Sequence, residues 1–185
     1  MEVVLIPRSR SCGFSLIQLI TTLGVLASSL SLAIPNWVGI SQNSKIQSSR
    51  SEIMSLLNFA RSTAVIQGVA VTICPTSDQR SCNNDYTAWN DGFMVFSDRN
   101  KDRSRGPEEP ILRLGIGQQR GIKIYSSPGR RSIRFDTDGS AWGSNLTLRF
   151  CVDNQTHNNR SILLYGTGRP RYSHHLSNGD QVTCD

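Results

Sequence analysis

From Phe14 to Ile34 the chain reads FSLIQLITTLGVLASSLSLAI, 21 residues without one Asp, Glu, Lys or Arg. As a helix, about 20 mostly apolar residues match the hydrocarbon thickness of a bilayer, so the stretch predicts a membrane-embedded helix. The span is diluted: Ser15, Gln18, Thr21, Thr22, Ser28, Ser29 and Ser31 interrupt the apolar residues, and Gly24 sits in mid-helix. Small and polar residues at this density let helix backbones approach and hydrogen-bond across an interface. The expectation is a segment that can leave lipid for a bundle of helices.

The junction ahead of it is unlike a secretory signal, which is cut after its apolar run; here Arg8 and Arg10 lead directly into Gly13 and Phe14. The run G-F-S-L-I-Q-L-I resembles the N-terminal motif of type IV pilins and pseudopilins. That resemblance implies cleavage after Gly13 by a prepilin peptidase, methylation, and a mature chain beginning at Phe14. It places Pro35 at the proline that loosens the long helix of such proteins. It implies as partners other major and minor pilins, and as location the inner membrane, crossed once with the globular part in the periplasm, followed by the extracellular pilus. Gln18 departs from the pattern, standing where the family has a glutamate that pairs with a neighbouring subunit's amino terminus. An amide can hydrogen-bond but supplies no opposite charge. A place at or near the filament tip, where that pairing is not needed, accommodates it.

Beyond Pro35 the same helix is predicted to continue to Gln67 as an amphipathic one. Ile46, Ile53, Leu56, Leu57, Ala60, Ala64 and Val65 recur at spacings of three, four and seven, with Lys45, Arg50, Glu52 and Arg61 mostly between them. Gly68 reads as the C-terminal cap, and the serine-rich stretch 39–51 as a place of fraying. The rest is strand-like: Val69–Cys74, Phe93–Ser97, Ile111–Leu114, Ile122–Tyr125, Ile133–Phe135, Leu146–Val152 and Ser161–Tyr165, without helical period between them. The fold class is α+β, a long N-terminal helix packed on antiparallel sheet. Its divisions are a leader (1–13), an embedded half-helix (14–34), an amphipathic half-helix (35–68) and a β domain (69–185). The fragments ARSTAVIQGVAVTICP, WNDGFMVFSDRNKD, IRFDTDG, LRFCV and GRPR, in this order, resemble the FimT/GspH group of minor pilins and pseudopilins.

Cys12 falls in the leader, which leaves Cys74, Cys82, Cys151 and Cys184. An even count on the outer side of a membrane points to disulfides, with three connectivities allowed. Cys74 with Cys82, closing a local loop, and Cys151 with Cys184, tying the tail to a strand, is the favoured one. No C-x-x-C pair marks a zinc site.

Without the leader the chain carries 18 basic and 13 acidic residues, and the excess is localised. Between Arg120 and Arg171 nine basic residues face Asp136, Asp138 and Asp153. Within this window Gly168-Arg169-Pro170-Arg171 puts two arginines one residue apart on a backbone that proline favours as extended. Guanidinium forks at that spacing can bind adjacent phosphates bidentately. In FimT-type pilins a G-R-x-R motif here is associated with DNA binding for natural transformation, so the resemblance implies the same role. Arg160, Arg130 and Arg131 are candidate supporting phosphate contacts, and Tyr172 a candidate for stacking on a base. His174 and His175 would add charge near or below pH 6.5.

Asp98, Asn100, Asp102 and Glu109 are spaced like calcium ligands, but Arg103 stands where that loop needs glycine, so the segment reads as a solvated turn. No metal, cofactor or catalytic group is expected: His157, His174 and His175 lie in polar loops, and no nucleophile elbow, H-E-x-x-H helix or phosphate-binding glycine loop is present. Three functions remain: a DNA-capturing minor pilin, a structural minor pilin that primes or caps assembly, and a pseudopilin of type II secretion.

Overall fold

The computed structural model describes residues 13, 15–116, 121–152 and 159–184, with side chains of 30–42 and 116 left aside. Phe14, half of the expected processing pair, lies outside the described residues, as do Arg120, Asp153 and His157. Helix α1 runs over Leu16–Gln67. Two compact units divide within it, 1–41 and 42–185.

In the first unit the helix satisfies its own polar groups. Thr21 Oγ1 donates to the Ile17 carbonyl at 3.0 Å, Thr22 Oγ1 to Leu19 at 2.9 Å, and Ser29 Oγ to Val25 at 2.8 Å. Gln18 Oε1 accepts the Ser15 N–H at 3.3 Å and so caps the opening turn. Hydroxyls bonded back to their own helix lower the cost of placing it in an apolar medium. Pro35 lies inside α1, which passes through it as one element. Among the described residues no helix is long and apolar enough to cross a membrane.

The second unit packs the rest of α1 on two four-stranded antiparallel sheets. The strands are β1 (Val71–Pro75), β2 (Gly92–Ser97), β3 (Ile111–Ile116), β4 (Ile122–Tyr125), β5 (Ile133–Phe135), β6 (Leu146–Val152), β7 (Arg160–Leu164) and β8 (Pro170–Ser173), with a 3-10 turn at Ala88–Asn90. One sheet has the order β3-β2-β1-β5 and the other β4-β6-β7-β8. Every strand expected from sequence is present; β8 is an addition, because its pattern of Pro, Arg, Tyr and Ser carries no apolar alternation. Pro75 is the last residue of β1, one beyond the expected end at Cys74. β5 covers only Val71 to Ile73, so no ladder bond is asked of the proline on that side.

The expected stripe on α1 is the buried one. Ile46, Ile53, Leu56, Leu57, Ala60 and Ala64 join Val71, Ile73, Phe93, Ile133 and Phe135 of the first sheet and Leu148, Phe150, Ile162 and Leu164 of the second. Each fully buried Leu or Ile here contributes about 1.5–3 kcal/mol. Val65, at the stripe's edge, stays 50% exposed. The stretch 39–51 remains helical without a break, since Ile46, Ser49 and Arg50 are buried within it. On the other face of the first sheet Cys74, Met94 and Phe96 form a small cluster with Cys82 and Ile111. Cys74 is bonded to Cys82 and Cys151 to Cys184, the favoured pairing.

Candidate nucleic-acid interface

The turn between β7 and β8 is built on Gly168. Its N–H donates to the Tyr165 carbonyl at 2.9 Å, and its φ of +70° is in the left-handed region. A Cβ at this position would stand 2.0 Å from the Gly139 carbonyl oxygen, so only glycine lets the hairpin sit on the 136–140 turn. Ala141 N–H donates to the Gly166 carbonyl at 2.9 Å and joins the same two loops. Arg169 leaves this seat exposed. Pro170 opens β8 opposite Leu164, on an edge strand whose first residue tolerates proline. Arg171 pairs with Leu163, exposed on the face away from the core residues Ile162 and Leu164.

The other predicted residues divide into two groups. Arg130 is tied to the hairpin's neighbourhood: Ser126 Oγ donates to its carbonyl, and its Nη1 donates at 2.7 Å to the carbonyl of Gly143, two residues from Ala141. Arg131 is exposed beside it. Arg160 and Tyr172 pair with Phe150 and Ile162, which puts them on the opposite face of β7 and β8 from Arg171. There Tyr172 lies under the Arg50 guanidinium, 4.6 Å from its ring centroid. Arg50 is 3% exposed and donates through Nη2 to the Ser161 and Ser173 carbonyls at 3.2 and 3.3 Å, clamping the edge strand to the helix. Burial lowers its pKa, with Arg160 adding to this against Tyr172. The charge of Arg160, then burial, holds His174 below the usual histidine range, so His174 gains its proton only at a lower pH than an ordinary histidine.

Sequence reasoning missed two features here. Arg50 stands at helical spacing from Ile46, Ile53 and Leu57, a signal that placed it on the buried face although its charge read as solvated. Trp142 is 66% exposed and packs on Gly166 of the hairpin turn. A second basic group adjoins it. Arg134 Nη1 donates to the Lys101 carbonyl at 2.7 Å, while Lys101 Nζ and Arg134 Nε stand 3.8 and 3.6 Å from Asp136 Oδ1. Burial, with the charges of Arg134 and Arg130, lowers the pKa of Arg103.

In the 98–109 loop the carboxylates hold backbone donors and the Thr72 hydroxyl. Glu109 accepts from Arg99 and Gly106, Asp102 from Ser104, and Asp98 Oδ2 from Thr72 Oγ1 at 2.6 Å and Arg103 N–H at 3.2 Å. Lys101 and Arg103 both have positive φ, and no cluster of three metal-ligating side chains occurs among the described residues. The outer face of the second sheet carries the tail, held by Cys151–Cys184 and by Arg149 Nη1 donating to Thr183 at 3.2 Å.

Two crystal structures of the type IV minor pilin FimU of Pseudomonas aeruginosa share the fold. One is 19% identical, with a TM-score of 0.55, covering 72% of this chain and 92% of that one; the other is 21% identical, with a TM-score of 0.53, covering 69% and 91%. No curated protein matches the sequence. Residues 50–168 match the family model described as type II transport protein GspH, ending at the glycine that seats the arginine hairpin. That match takes in well over half of the chain, and with the antiparallel architecture under α1 it makes this protein a member of the GspH family of minor pilin and pseudopilin type.

Proposed function

We propose that this chain is a minor type IV pilin whose second unit holds DNA through its phosphates and assists uptake in natural transformation. The observation that carries the reading is the exposed pair Arg169 and Arg171, raised on a glycine seat beside Arg130 and Arg131 in a stretch rich in positive charge. Phosphate contacts of this kind position a duplex without reading its sequence, which suits a receptor for arbitrary DNA. Gly13, Phe14, Gln18 and Pro35 belong in this reading to processing by a prepilin peptidase and to assembly with other pilins after residence in the inner membrane. The helix whose hydroxyls bond their own carbonyls supports that residence. Tyr172 serves the site from behind, by receiving the Arg50 guanidinium that holds β8, rather than by touching bases, and Arg160 lies on that same far face.

The test is a gel-shift titration of unit 42–185 with linear duplex DNA at low salt. Core and disulfides lie inside this unit. Arg169→Gln with Arg171→Gln should weaken binding at least tenfold and reduce the slope of log affinity against log salt by roughly two, one for each phosphate released. Unchanged affinity in the double variant removes the arginine pair from the site. Absence of binding by the parent favours the second reading, a type II secretion pseudopilin or purely structural subunit, which the GspH family description supports.

A further inference from the structure

We propose that Trp142 is a stacking platform for an unpaired base, placed beside the arginine hairpin so that the site takes single-stranded or frayed DNA in preference to closed duplex. This deepens the DNA-binding reading and rests on it.

Trp142 is the most exposed aromatic side chain described in unit 42–185, at 66%, yet its position is determined. A methyl group added at Gly166 would lie 2.8 Å from Cε3 and 2.9 Å from Cζ3 of the indole, so the benzo ring rests on glycine backbone and needs that glycine. The turn around it is closed by the Ser144 N–H donating to the Ala141 carbonyl at 2.9 Å, and Ala141 is bonded to Gly166. A ring seated on one side and open on another stacks a base at little cost in side-chain entropy.

The charge around the indole favours nucleic acid over an apolar partner. Arg130 Nη1 bonds the carbonyl of Gly143, the next residue, and Arg103 Nη2 would lie 3.3 Å from a Cβ placed there. Arg134 adds its charge to Arg103; the acids facing the group are Asp98, already accepting from Thr72 and Arg103, and Asp136, shared by Lys101 and Arg134. Arg169 follows three residues after Gly166, so phosphate contacts and stacking surface leave one loop junction. Paired bases inside a duplex offer no free face, and extruding one costs energy that a single strand does not spend.

The experiment uses the full chain in a non-ionic detergent, with fluorescence anisotropy on two probes: a labelled oligothymidine and a labelled duplex closed at both ends by hairpin loops and held in excess competitor loop. Trp142→Ala should weaken oligothymidine binding about tenfold, leave closed-duplex binding within twofold and keep the parent melting temperature. Trp142→Phe should retain most of the oligothymidine affinity. Arg169→Gln with Arg171→Gln should weaken both probes. Oligothymidine binding unchanged in Trp142→Ala while the arginine variant loses it overturns the platform and leaves the DNA reading intact; loss of subunit cross-linking in that same variant assigns the indole to a neighbouring pilin. Equal weakening of both probes by Trp142→Ala also overturns it, as the indole then only braces the hairpin. A parent that binds neither probe overturns both proposals.

Discussion

Gly168 carries two constraints at once, a left-handed backbone and a contact that leaves no room for a Cβ. An L side chain pays about 1–2 kcal/mol for that backbone, and forcing a carbon into packed backbone costs typically 1–3 more. Gly168→Ala should therefore destabilise unit 42–185 by about 2–5 kcal/mol and lower its melting temperature by roughly 5–20 °C in a thermal scan. DNA affinity should fall in the variant even at temperatures where it stays folded, because the arginine pair loses its seat. A variant that melts like the parent would show that the 136–140 turn can withdraw. The motif glycine was legible in the sequence as part of G-R-P-R; the reason for it was not, since Gly139 is 29 residues away and meets it only in the fold. Arg50 shows the reverse case. It was read among the charges between the stripe residues although its spacing from Ile46, Ile53 and Leu57 fits the stripe, and a guanidinium there is tolerated only because two strand carbonyls and the Tyr172 ring receive it.

At the scale of elements, the strands and the amphipathic part of α1 were readable because alternation and the 3.6-residue period are local properties of the chain. β8 was not, because an edge strand that buries little has no reason to alternate. Its order comes from neighbours: the β7 ladder on one side and the Arg50 clamp from the helix. The tail beyond it depends on a covalent tie. Cys151 and Cys184 lie 33 residues apart, and closing a loop of that size in the unfolded chain is worth about 4 kcal/mol in the chain-entropy account. Cys151→Ser with Cys184→Ser should lower stability by about 2–4 kcal/mol in urea titration, and amide exchange should rise first in 176–184. The Cys74–Cys82 loop should keep its protection, since it closes a separate loop next to another cluster.

For the whole molecule, the boundary between units falls inside α1, before the first buried residue described on it, Ile46. The core of the second unit draws on residues 46 to 182, with both disulfides inside the same limits or two residues beyond. A chain beginning at Gln42 should thus unfold in one cooperative transition, with calorimetric and van't Hoff enthalpies in agreement; separate transitions for the two sheets would show that α1 does not unite them into one core. The proposed DNA binding belongs to this scale too, because its arginines come from the turn before β8 and β8 itself, the 130–131 turn and the 98–109 loop, segments far apart in the chain.

By itself the sequence determined the apolar run, its motif at Gly13, the buried stripe of α1 and the strands other than β8, all of which depend on spacing along one stretch, while it left three cysteine pairings open, of which the fold holds the favoured one. Which strands neighbour each other, which face of β8 Arg171 and Tyr172 occupy, and why Trp142 stands exposed on Gly166 were decided by tertiary structure alone. Each of those depends on contacts between segments far apart in the chain, and a side chain's exposure is a property of what packs against it.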